Sequence, residues 1–262
     1  MRKLSRIIAV HSYKGGTGKT LLSVNLAAAF AKNGKNVCVF DLDFRAPSLF
    51  AILKVETAEY WANDYLNNIV DVDKVLVDLS GKVSEKGKFY AALANPATEA
   101  MRDMSSKDRK WEMRALGRLL ALKETLLKNE KFDYIFFDTS PGIQYSSINA
   151  IVAADLVIVA TTGDRSDVDG TKRMLQELYN LFEKKTVLVL NKSLDASATA
   201  RKAEMSAKVK DAYQVPLLGV VPCFCEVLRA EGNFIFPKDK PDHPFTKILS
   251  EMARKIDNNE VN

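Results

Sequence analysis

The sequence has few cysteines and no long apolar segment, and both absences narrow the class of protein. Three cysteines in 262 residues are too few for a disulfide framework, which favours a reducing compartment. No segment reaches the roughly 18 consecutive apolar residues of a transmembrane helix, because Asp155 interrupts the apolar run Ala150–Ala160. The basic start Met1–Leu4 precedes the apolar segment Ile7–Val10, which is too short for a signal-peptide core. We therefore expect a cytoplasmic protein.

The histidines and cysteines also lack the sequence spacing that is typical of the ligands of a metal centre within one chain. His11 and His243 lie far apart in the sequence, and we expect structural roles for both. Cys223 and Cys225 supply only two of the four ligands that a tetrahedral site needs. A dimer that pools its cysteines, or a redox pair, is the alternative for these thiols. The net charge of +5 is a mild excess that by itself indicates no partner.

Short apolar segments that end in polar residues alternate with helical patterns along most of the chain. The predicted strands are Arg6–Ser12, Asn36–Asp41, Tyr134–Asp138, Asp155–Thr161, Thr186–Asn191 and Leu217–Val221. The predicted helices are Lys19–Lys32, Arg109–Leu127, Ser146–Ala154, Val168–Phe182 and Ala198–Tyr213. Such βαβ units form an α/β fold, a doubly wound, mostly parallel sheet flanked by helices, with ligands at the C-terminal strand edge. The polar strand ends should therefore gather at one rim: Ser12, Asp41, Asp138 and Asn191.

The segment Glu56–Lys110 fits this alternation less well. It contains two candidate strands, Lys74–Leu79 and Phe89–Leu93, on either side of the turn-prone segment Ser80–Lys88. No linker rich in Gly, Ser or Pro marks a domain boundary. We therefore expect a single domain over residues 1–262, with residues 56–110 as an elaboration on the same sheet.

The sharpest motif is the segment Lys14–Thr20, which directly follows the first predicted strand and opens a helix. Its glycines let the backbone fold into a concave nest of N–H groups that aim at phosphate oxygens, and the helix adds its positive N-terminal end. Lys19 supplies a point charge for the β- and γ-phosphates, and the Thr20 hydroxyl can ligate Mg²⁺. The predicted nucleotide-binding residues here are Gly15, Gly16, Thr17, Gly18, Lys19, Thr20 and Leu21.

Carboxylates end two of the predicted strands. Asp41 and Asp43 lie at the end of the second strand, where two negative charges beside a triphosphate would repel it unless Mg²⁺ or water intervenes. A metal-shell or water-orienting role is one interpretation, and helix capping is the alternative. Asp138 ends an apolar strand, where a carboxylate resembles the magnesium-binding Asp of a Walker-B element. The predicted metal-binding residues are Thr20, Asp41 and Asp138.

The phosphate loop departs from the ordinary G-x-x-x-x-G-K-[ST] pattern, because Tyr13 occupies the first glycine position and Lys14 follows it. The variant K-G-G-T-G-K-T resembles the deviant phosphate loop of the MinD/ParA family, K-G-G-x-G-K-[TS]. The D-x-D segment at Asp41 and the D-x-x-P-G segment at Asp138 resemble the two switch regions of that family, in the same order. The resemblance covers most of the chain and implies a P-loop NTPase that uses ATP and Mg²⁺.

The resemblance also implies roles for single residues. Lys14 would reach across a nucleotide-sandwich homodimer to the partner's phosphates, and a solvated lysine beside its own subunit's phosphates is the alternative. Asp43 would orient the attacking water, and Asp41 would help to hold the Mg²⁺ shell. Together with Lys19, Lys14 and Asp43 are the implied catalytic residues. The other implied nucleotide contacts are Gly142 near the γ-phosphate and, around the adenine, Asn191, Pro222 and Cys223, with a local turn role as the alternative for the asparagine.

Two surface features bear on membrane or DNA binding. The tail Pro244–Ile256 carries an apolar stripe at helical spacing, which favours docking onto the protein's own sheet over a membrane-surface helix. The basic residues of Arg102–Arg118 and Arg201–Lys210 are mixed with acidic ones, which favours a solvated face over non-specific DNA binding.

The resemblance implies a slow ATPase whose ATP-bound homodimer acts as a switch. We expect a positioning or segregation ATPase that works with an unidentified activating or client protein and associates reversibly with a membrane or the nucleoid. One alternative is a maturation or targeting ATPase that delivers a metal, a cofactor or a client protein. The other is a regulatory ATP-binding module with negligible hydrolysis.

Overall fold

A computed structural model describes residues 5–128, 131–179, 182–194, 201–233 and 235–261 of the chain. Within these residues, eight strands form one sheet. In chain order they are β1 Arg6–His11, β2 Val37–Leu42, β3 Leu76–Asp78, β4 Phe89–Ala92, β5 Tyr134–Thr139, β6 Leu156–Thr161, β7 Thr186–Ser193 and β8 Leu217–Pro222. The spatial order is β3-β4-β2-β5-β1-β6-β7-β8. Every neighbouring pair is parallel except β3 and β4.

Burial on both faces explains why the central strands are nearly continuous apolar segments. Almost every side chain of β1, β2, β5 and β6 is buried, as expected for a parallel sheet that is covered by helices on both sides. The six strands predicted outside residues 56–110 are all present, with small shifts at their ends. The predicted doubly wound, mostly parallel α/β fold is therefore confirmed.

Helices cover the two faces of this sheet. Those with described bounds are α1 Lys19–Lys32, α2 Leu49–Ile52, α3 Ala62–Leu66, α4 Ser80–Val83, α5 Thr98–Ser105, α6 Arg109–Leu122, α7 Tyr145–Ala153, α8 Arg165–Met174, α9 Lys202–Tyr213, α10 Cys225–Arg229, α11 Phe236–Asp239 and α12 Pro244–Asp257. A 3₁₀ turn covers Val72–Val75, and π-helical segments, Lys123–Lys128 and Leu175–Tyr179, continue α6 and α8.

Four predicted helices differ from the observed ones at their ends, and α7, predicted as Ser146–Ala154, is shifted by only one residue. Helix α8 begins at Arg165, before the predicted start at Val168, because the Asp164 side chain accepts the first free N–H groups and caps the helix. Helix α6 ends at Leu122 and continues only as a π-helical segment. Helix α9 begins at Lys202, after Arg201 in a turn, and residues 198–200 of its predicted range lie outside the described residues.

The segment 56–110 adds to the edge of the sheet next to β2. Strand β4 pairs parallel with β2, and the short β3 pairs antiparallel with β4. Both candidate strands of this segment are therefore present and belong to the same sheet. The stretch predicted as turn-prone contains the short helix α4. The antiparallel edge strand is the one departure from parallel pairing among the described strands.

The C-terminal helix α12 packs against the sheet and against α1. Its stripe residues Phe245, Leu249, Met252 and Ile256 are all buried in the same apolar layer as α1. At its end, Asp257 accepts a hydrogen bond of 2.7 Å from the hydroxyl of Tyr134. The predicted docking of this tail onto the sheet is confirmed. Among the described residues, no helix combines the length and the apolar character needed to cross a membrane.

Strand register brings the predicted polar strand ends to one rim. Asp138 of β5 is paired with Val10 of β1 on one side and with Asp41 of β2 on the other. Ser12 follows β1 directly, and Asn191 lies near the end of β7. The carboxylates and the phosphate loop therefore meet at the C-terminal edge of the central strands.

The buried α12 stripe yields a stability prediction. We expect Leu249→Ala to lower the free energy of unfolding by about 2–5 kcal/mol, because it leaves a cavity in a filled apolar layer. The matched control is Leu194→Ala, since Leu194 is 91% exposed, and we expect it to change stability by no more than about 0.5 kcal/mol. Urea unfolding followed by circular dichroism measures both. Equal losses in the two variants would contradict the docking of α12.

Candidate functional site

A cavity of about 670 Å³ opens at the rim where the phosphate loop leaves β1, a volume typical of small-molecule sites. One side is lined by Gly15, Gly16, Gly18, Lys19, Thr20 and Leu21. The other side is lined by two segments that follow β2 and β5. We call them the Asp43 loop, Asp43–Ser48, and the Pro141 turn, Ser140–Gly142. Residues of α2 and α10 close the far wall.

The phosphate loop depends on glycine at Gly18, for two reasons. Its φ of 92° lies in the left-handed region, where a side chain is strained. A Cβ atom there would also lie 2.5 Å from Nδ2 of Asn191. The N–H groups of the loop and the N-terminus of α1 form a concave, positively polarised surface, which suits phosphate oxygens.

Two consecutive residues at the end of β7 form hydrogen bonds with the backbone of the phosphate loop. The Asn191 side chain donates through Nδ2 to the Thr17 carbonyl oxygen over 2.7 Å. Lys192 donates through Nζ to the Gly16 carbonyl oxygen over 2.7 Å. Asn191 is buried, whereas Lys192 lines the cavity. The loop is therefore held in its concave shape by side chains of a distant strand.

Lys19 is the most buried cation of the site. It is only 7% exposed, at the first residue of α1. Burial lowers the pKa of its ammonium group, and the carboxylates of Asp138, Asp43 and Asp167 act in the opposite direction. The positive charge of Lys19 interacts with these carboxylates, and it can interact in the same way with the negatively charged oxygens of a phosphate.

Asp138 is buried at the end of β5, next to the start of α1. Its carboxylate accepts a hydrogen bond of 2.9 Å from the Ser23 hydroxyl, and the nearby Thr20 hydroxyl acts to lower its pKa. Burial raises the pKa of Asp138 to about 6. Its Oδ2 atom is buried without a hydrogen-bond partner among the described residues. An unpartnered carboxylate oxygen beside a threonine hydroxyl is a donor set that fits Mg²⁺ bound partly through water.

Asp41 and Asp43 have different surroundings, although they are two residues apart. Asp41 is fully buried, and its two oxygens accept the backbone N–H groups of Asp43, over 3.1 Å, and Leu49, over 3.4 Å. Burial and the neighbouring Asp138 raise the pKa of Asp41 well above its usual value. Asp43 lines the cavity and accepts the Ser140 hydroxyl over 2.8 Å. In this structure Asp41 shapes the Asp43 loop, and Asp43 reaches the cavity.

The remaining predicted nucleotide contacts do not line this cavity. The Gly142 N–H donates to the Ser12 carbonyl oxygen over 2.9 Å, so a γ-phosphate contact requires movement of the Pro141 turn. Pro222 pairs with Ser193 at the ends of β8 and β7, and the Cys223 N–H donates to the Ser193 carbonyl oxygen. The structure thus brings Asn191, Pro222 and Cys223 to adjacent strand ends, outside the cavity lining.

The two residues before the glycines contact α8. The Tyr13 ring packs on Gly170, where a Cβ atom would lie 2.0 Å from a ring carbon, so a side chain at this position would displace the ring. Lys14 is half exposed, and its Nζ lies 3.3 Å from Oδ1 of Asp164 and 3.0 Å from Oγ of Ser166. Lys14 therefore points away from its own cavity and is not among the residues that line it.

Comparison with known proteins agrees with this geometry. The profile of the AAA domain matches residues 5–196. The septum site-determining protein MinD of Synechocystis sp. is 30% identical over 261 residues, which cover 98% of this chain and 91% of that protein. The chain belongs to the MinD/ParA family of P-loop ATPases.

Two solved structures show the same fold. The MinD structure of Pyrococcus horikoshii, complexed with Mg-ADP, has a TM-score of 0.75 and 22% identity, and the match covers 98% of each chain. A plasmid partition protein of Borrelia burgdorferi, bound to AMPPNP, has a TM-score of 0.70 and 20% identity, over 98% of this chain and 100% of that chain.

Sequence reasoning missed two side chains that shape the site of this MinD/ParA-family protein. Lys192 combines a left-handed φ of 53° with its bond to the phosphate loop. Ser140 bonds Asp43 and thereby joins the Asp43 loop to the Pro141 turn. Both follow polar strand ends that the sequence did indicate. The sequence therefore predicts that both residues lie at the rim, but it does not predict their hydrogen-bond partners.

The histidines have the structural roles expected for them. His11 is buried in β1, where its Nδ1 lies 2.8 Å from the Thr139 hydroxyl and burial lowers its pKa to about 3. His243 accepts the Phe245 N–H and caps α12. Within the described residues, no group of three or more His, Cys, Asp or Glu side chains is arranged to hold a metal ion.

The raised pKa of Asp138 predicts a pH-dependent stability in the absence of metal. Because the folded state binds this proton more tightly than the unfolded state, stability falls as pH rises from about 4 to 6. We expect Asp138→Asn to remove this part of the dependence. Near pH 8 in EDTA it should be more stable than the wild type by on the order of 1–3 kcal/mol. Urea midpoints across this range test it, and a difference independent of pH would contradict it.

Proposed function

We propose that this protein is a slow, Mg-ATP-dependent ATPase that dimerises around two nucleotides and acts as a switch in the positioning or segregation of cell components. The placement of Lys14 carries the proposal. A lysine that served its own subunit's phosphates would line the cavity, whereas Lys14 is half exposed at the rim and contacts Asp164 and Ser166. Exposed ion pairs of this kind are weak and exchange readily, so Lys14 is free to engage a partner's nucleotide.

The residues around the cavity supply the parts that phosphoryl transfer to water needs. Lys19 and the N-terminus of α1 neutralise phosphate charge, and Asp43 borders the cavity where it can orient the attacking water. Thr20 and Asp138 would hold Mg²⁺, which supplies charge neutralisation at the phosphates. Asp41 would act on this shell by fixing the backbone of Asp43.

The adenine is expected at the ends of β7 and β8, beside the phosphate loop. One N–H of the Asn191 amide is committed to Thr17, which leaves a second N–H and the amide oxygen for a base edge. Pro222 and Cys223 lie on the neighbouring strand end. A base here would extend from the cavity toward Lys192.

The homologues support the positioning or segregation role over the other two uses of such a switch. The relatives and neighbours that match over nearly the whole chain include a septum site-determining protein and a plasmid partition protein. A delivery ATPase that pooled Cys223 and Cys225 across a dimer would bind metal when ATP is present. A regulatory module would dimerise with ATP and hydrolyse none.

The trans role of Lys14 predicts the oligomeric state. We expect Asp43→Ala to be a monomer with ADP and a dimer with ATP, measured by light scattering, because it binds ATP but does not hydrolyse it. Adding Lys14→Ala should leave ATP binding intact and abolish the dimer. Lys247→Ala, at an exposed lysine of α12, is the control and should dimerise normally. An ATP-dependent dimer that survives Lys14→Ala would contradict the trans role.

The assignment of Asp43 predicts a loss of turnover without a loss of binding. We expect Asp43→Ala to reduce ATP hydrolysis by on the order of 10²-fold or more, as for a lost water-orienting base, with the dissociation constant for ATP nearly unchanged. The control is Asp103→Ala, at an exposed residue of α5. Lys19→Ala should instead abolish binding itself. Wild-type turnover in Asp43→Ala would remove this residue from the mechanism.

A further inference from the structure

A second cavity, of about 660 Å³, lies between α3, the 3₁₀ turn and α6. We call it the α3–α6 groove. None of its lining residues lines the nucleotide cavity. Its α3 side belongs to the segment 56–110, which fits the alternation of strands and helices in the sequence less well than the rest of the chain. The groove is therefore a feature that the ATPase chemistry does not explain.

The floor of the groove is kept open by a glycine in the middle of a helix. Gly117 lies inside α6, and a Cβ atom built there would meet nothing within 4 Å. Neither packing nor a left-handed φ requires glycine here, and an interior helical glycine is less stable than alanine by about 1 kcal/mol. Ala121 follows one turn later and also lines the groove. Helix α6 thus presents a surface of small residues, onto which another helix could pack closely.

The walls of the groove are fixed by side-chain contacts. The Arg118 guanidinium lies 4.2 Å from the Tyr65 ring centre, and the Tyr65 hydroxyl donates to the Arg118 carbonyl oxygen over 2.7 Å. The same guanidinium donates to Asn68 and Val70. Its Nε is buried without a partner among the described residues. Trp111 of α6 likewise donates through Nε1 to Asn67 over 2.8 Å, so both contacts join α6 to the α3 side.

Charge and apolar surface along α6 indicate what the groove binds. Lys110, Arg114 and Arg118 recur at a spacing of four residues, on one face of the helix. Lys110 and Arg114 are exposed and form no ion pair with any described residue. Two exposed apolar side chains, Met113 and Leu120, which are 69% and 43% exposed, lie one turn before and one turn after Gly117, on the side of α6 next to the groove lining.

The opposite wall is acidic but partly neutralised. It carries Asp71 and Asp73, and Asp73 forms an ion pair of 2.7 Å with Lys131. Positive charge therefore predominates on the α6 side. A ligand that complements this surface carries apolar side chains over Gly117 and carboxylates toward the α6 cations.

We propose that the α3–α6 groove binds an acidic amphipathic helix of a partner protein. The exposed face of α6 matches a helix, and the two exposed cations Lys110 and Arg114, one turn apart on α6, match carboxylates spaced one turn apart on that helix. The prearranged Tyr65–Arg118 wall lowers the cost of ordering side chains on binding.

Hydrogen bonds join the groove helix to the nucleotide site. On α7, Asn149 donates to the Glu112 carbonyl and carboxylate oxygens over 2.9 Å each, which fastens α7 to α6. Near the start of α7, Ser147 donates to the Ser140 carbonyl oxygen over 2.8 Å, and Ser140 bonds Asp43. A helix bound in the groove would therefore contact α6, which is joined through α7 to the Pro141 turn. This coupling, unlike the docking itself, rests on the proposed function.

The probe is a fluorescein-labelled synthetic peptide of about 18 residues, long enough to form a helix on a surface. It carries leucines along one face and glutamates beside them, and the control peptide has lysine in place of every glutamate. Fluorescence anisotropy should show saturable binding of the acidic peptide. Binding of the lysine peptide should be weaker by roughly tenfold or more, a difference of about 1.4 kcal/mol.

Three variants of the protein test whether the peptide binds in the α3–α6 groove. Gly117→Leu fills the floor and should weaken binding by roughly tenfold or more, while the urea midpoint stays the same or rises because glycine is the poorer helix former. Arg114→Glu should weaken binding similarly. Gly81→Leu is the matched control, since a Cβ on Gly81 of α4 also meets nothing within 4 Å, and it should bind like the wild type.

Several results would overturn the docking proposal. These are no saturable binding up to about 1 mM, equal binding of the lysine peptide, or unchanged binding by Gly117→Leu. Self-association of the protein that disappears in Gly117→Leu would assign the groove to a second copy and would also overturn it. Unchanged ATP turnover with peptide bound would overturn the coupling alone. Failure of the proposed function is distinguishable, because it appears without peptide as the absence of an ATP-dependent dimer.

Discussion

The buried carboxylate of Asp138 is the group on which the arrangement of the site depends. It lies at the C-terminal end of the central strand β5, in register with Asp41 of β2 and Val10 of β1. Its hydrogen bond to Ser23 fastens the first turns of α1 to this point. Because the phosphate loop is the connection from β1 to α1, fixing both ends fixes the loop. An ionised carboxylate buried here destabilises the metal-free fold, and a divalent cation would offset that cost.

The segments around this fixed centre are fastened more lightly. The Asp43 loop is attached through Asp41 and Ser140, and the Pro141 turn through the Gly142 N–H. Each segment is attached by only a few hydrogen bonds, each with a net value of about 1 kcal/mol. Charge that enters the cavity can therefore rearrange these segments without disturbing the sheet. A rigid loop between movable segments is the arrangement that a nucleotide-dependent switch requires.

The sequence predicted the elements whose causes are local. Buried strands, the start of α1 and the phosphate loop follow from apolar runs, from glycine and from residue order, and the polar strand ends reached the predicted rim. The sequence could not predict which of these polar groups already form hydrogen bonds within the protein. Asp41 holds two backbone N–H groups, Asn191 supports Thr17, and the Gly142 N–H is bonded to Ser12. Each of these contacts joins residues of different elements, which no local pattern encodes.

The α3–α6 groove illustrates the same limit more strongly. Its walls join residues about fifty positions apart, as in the Tyr65–Arg118 contact, and neither side carries a motif. In the sequence, the cations of α6 are mixed with acidic residues and resemble an ordinary solvated face. The structure separates them, because Glu112 turns toward Asn149 of α7 while Arg114 and Arg118 line the groove. Charge patterning acquires a direction only when the helix is packed, so a mixed sequence can still present mainly one sign of charge on one face of a helix.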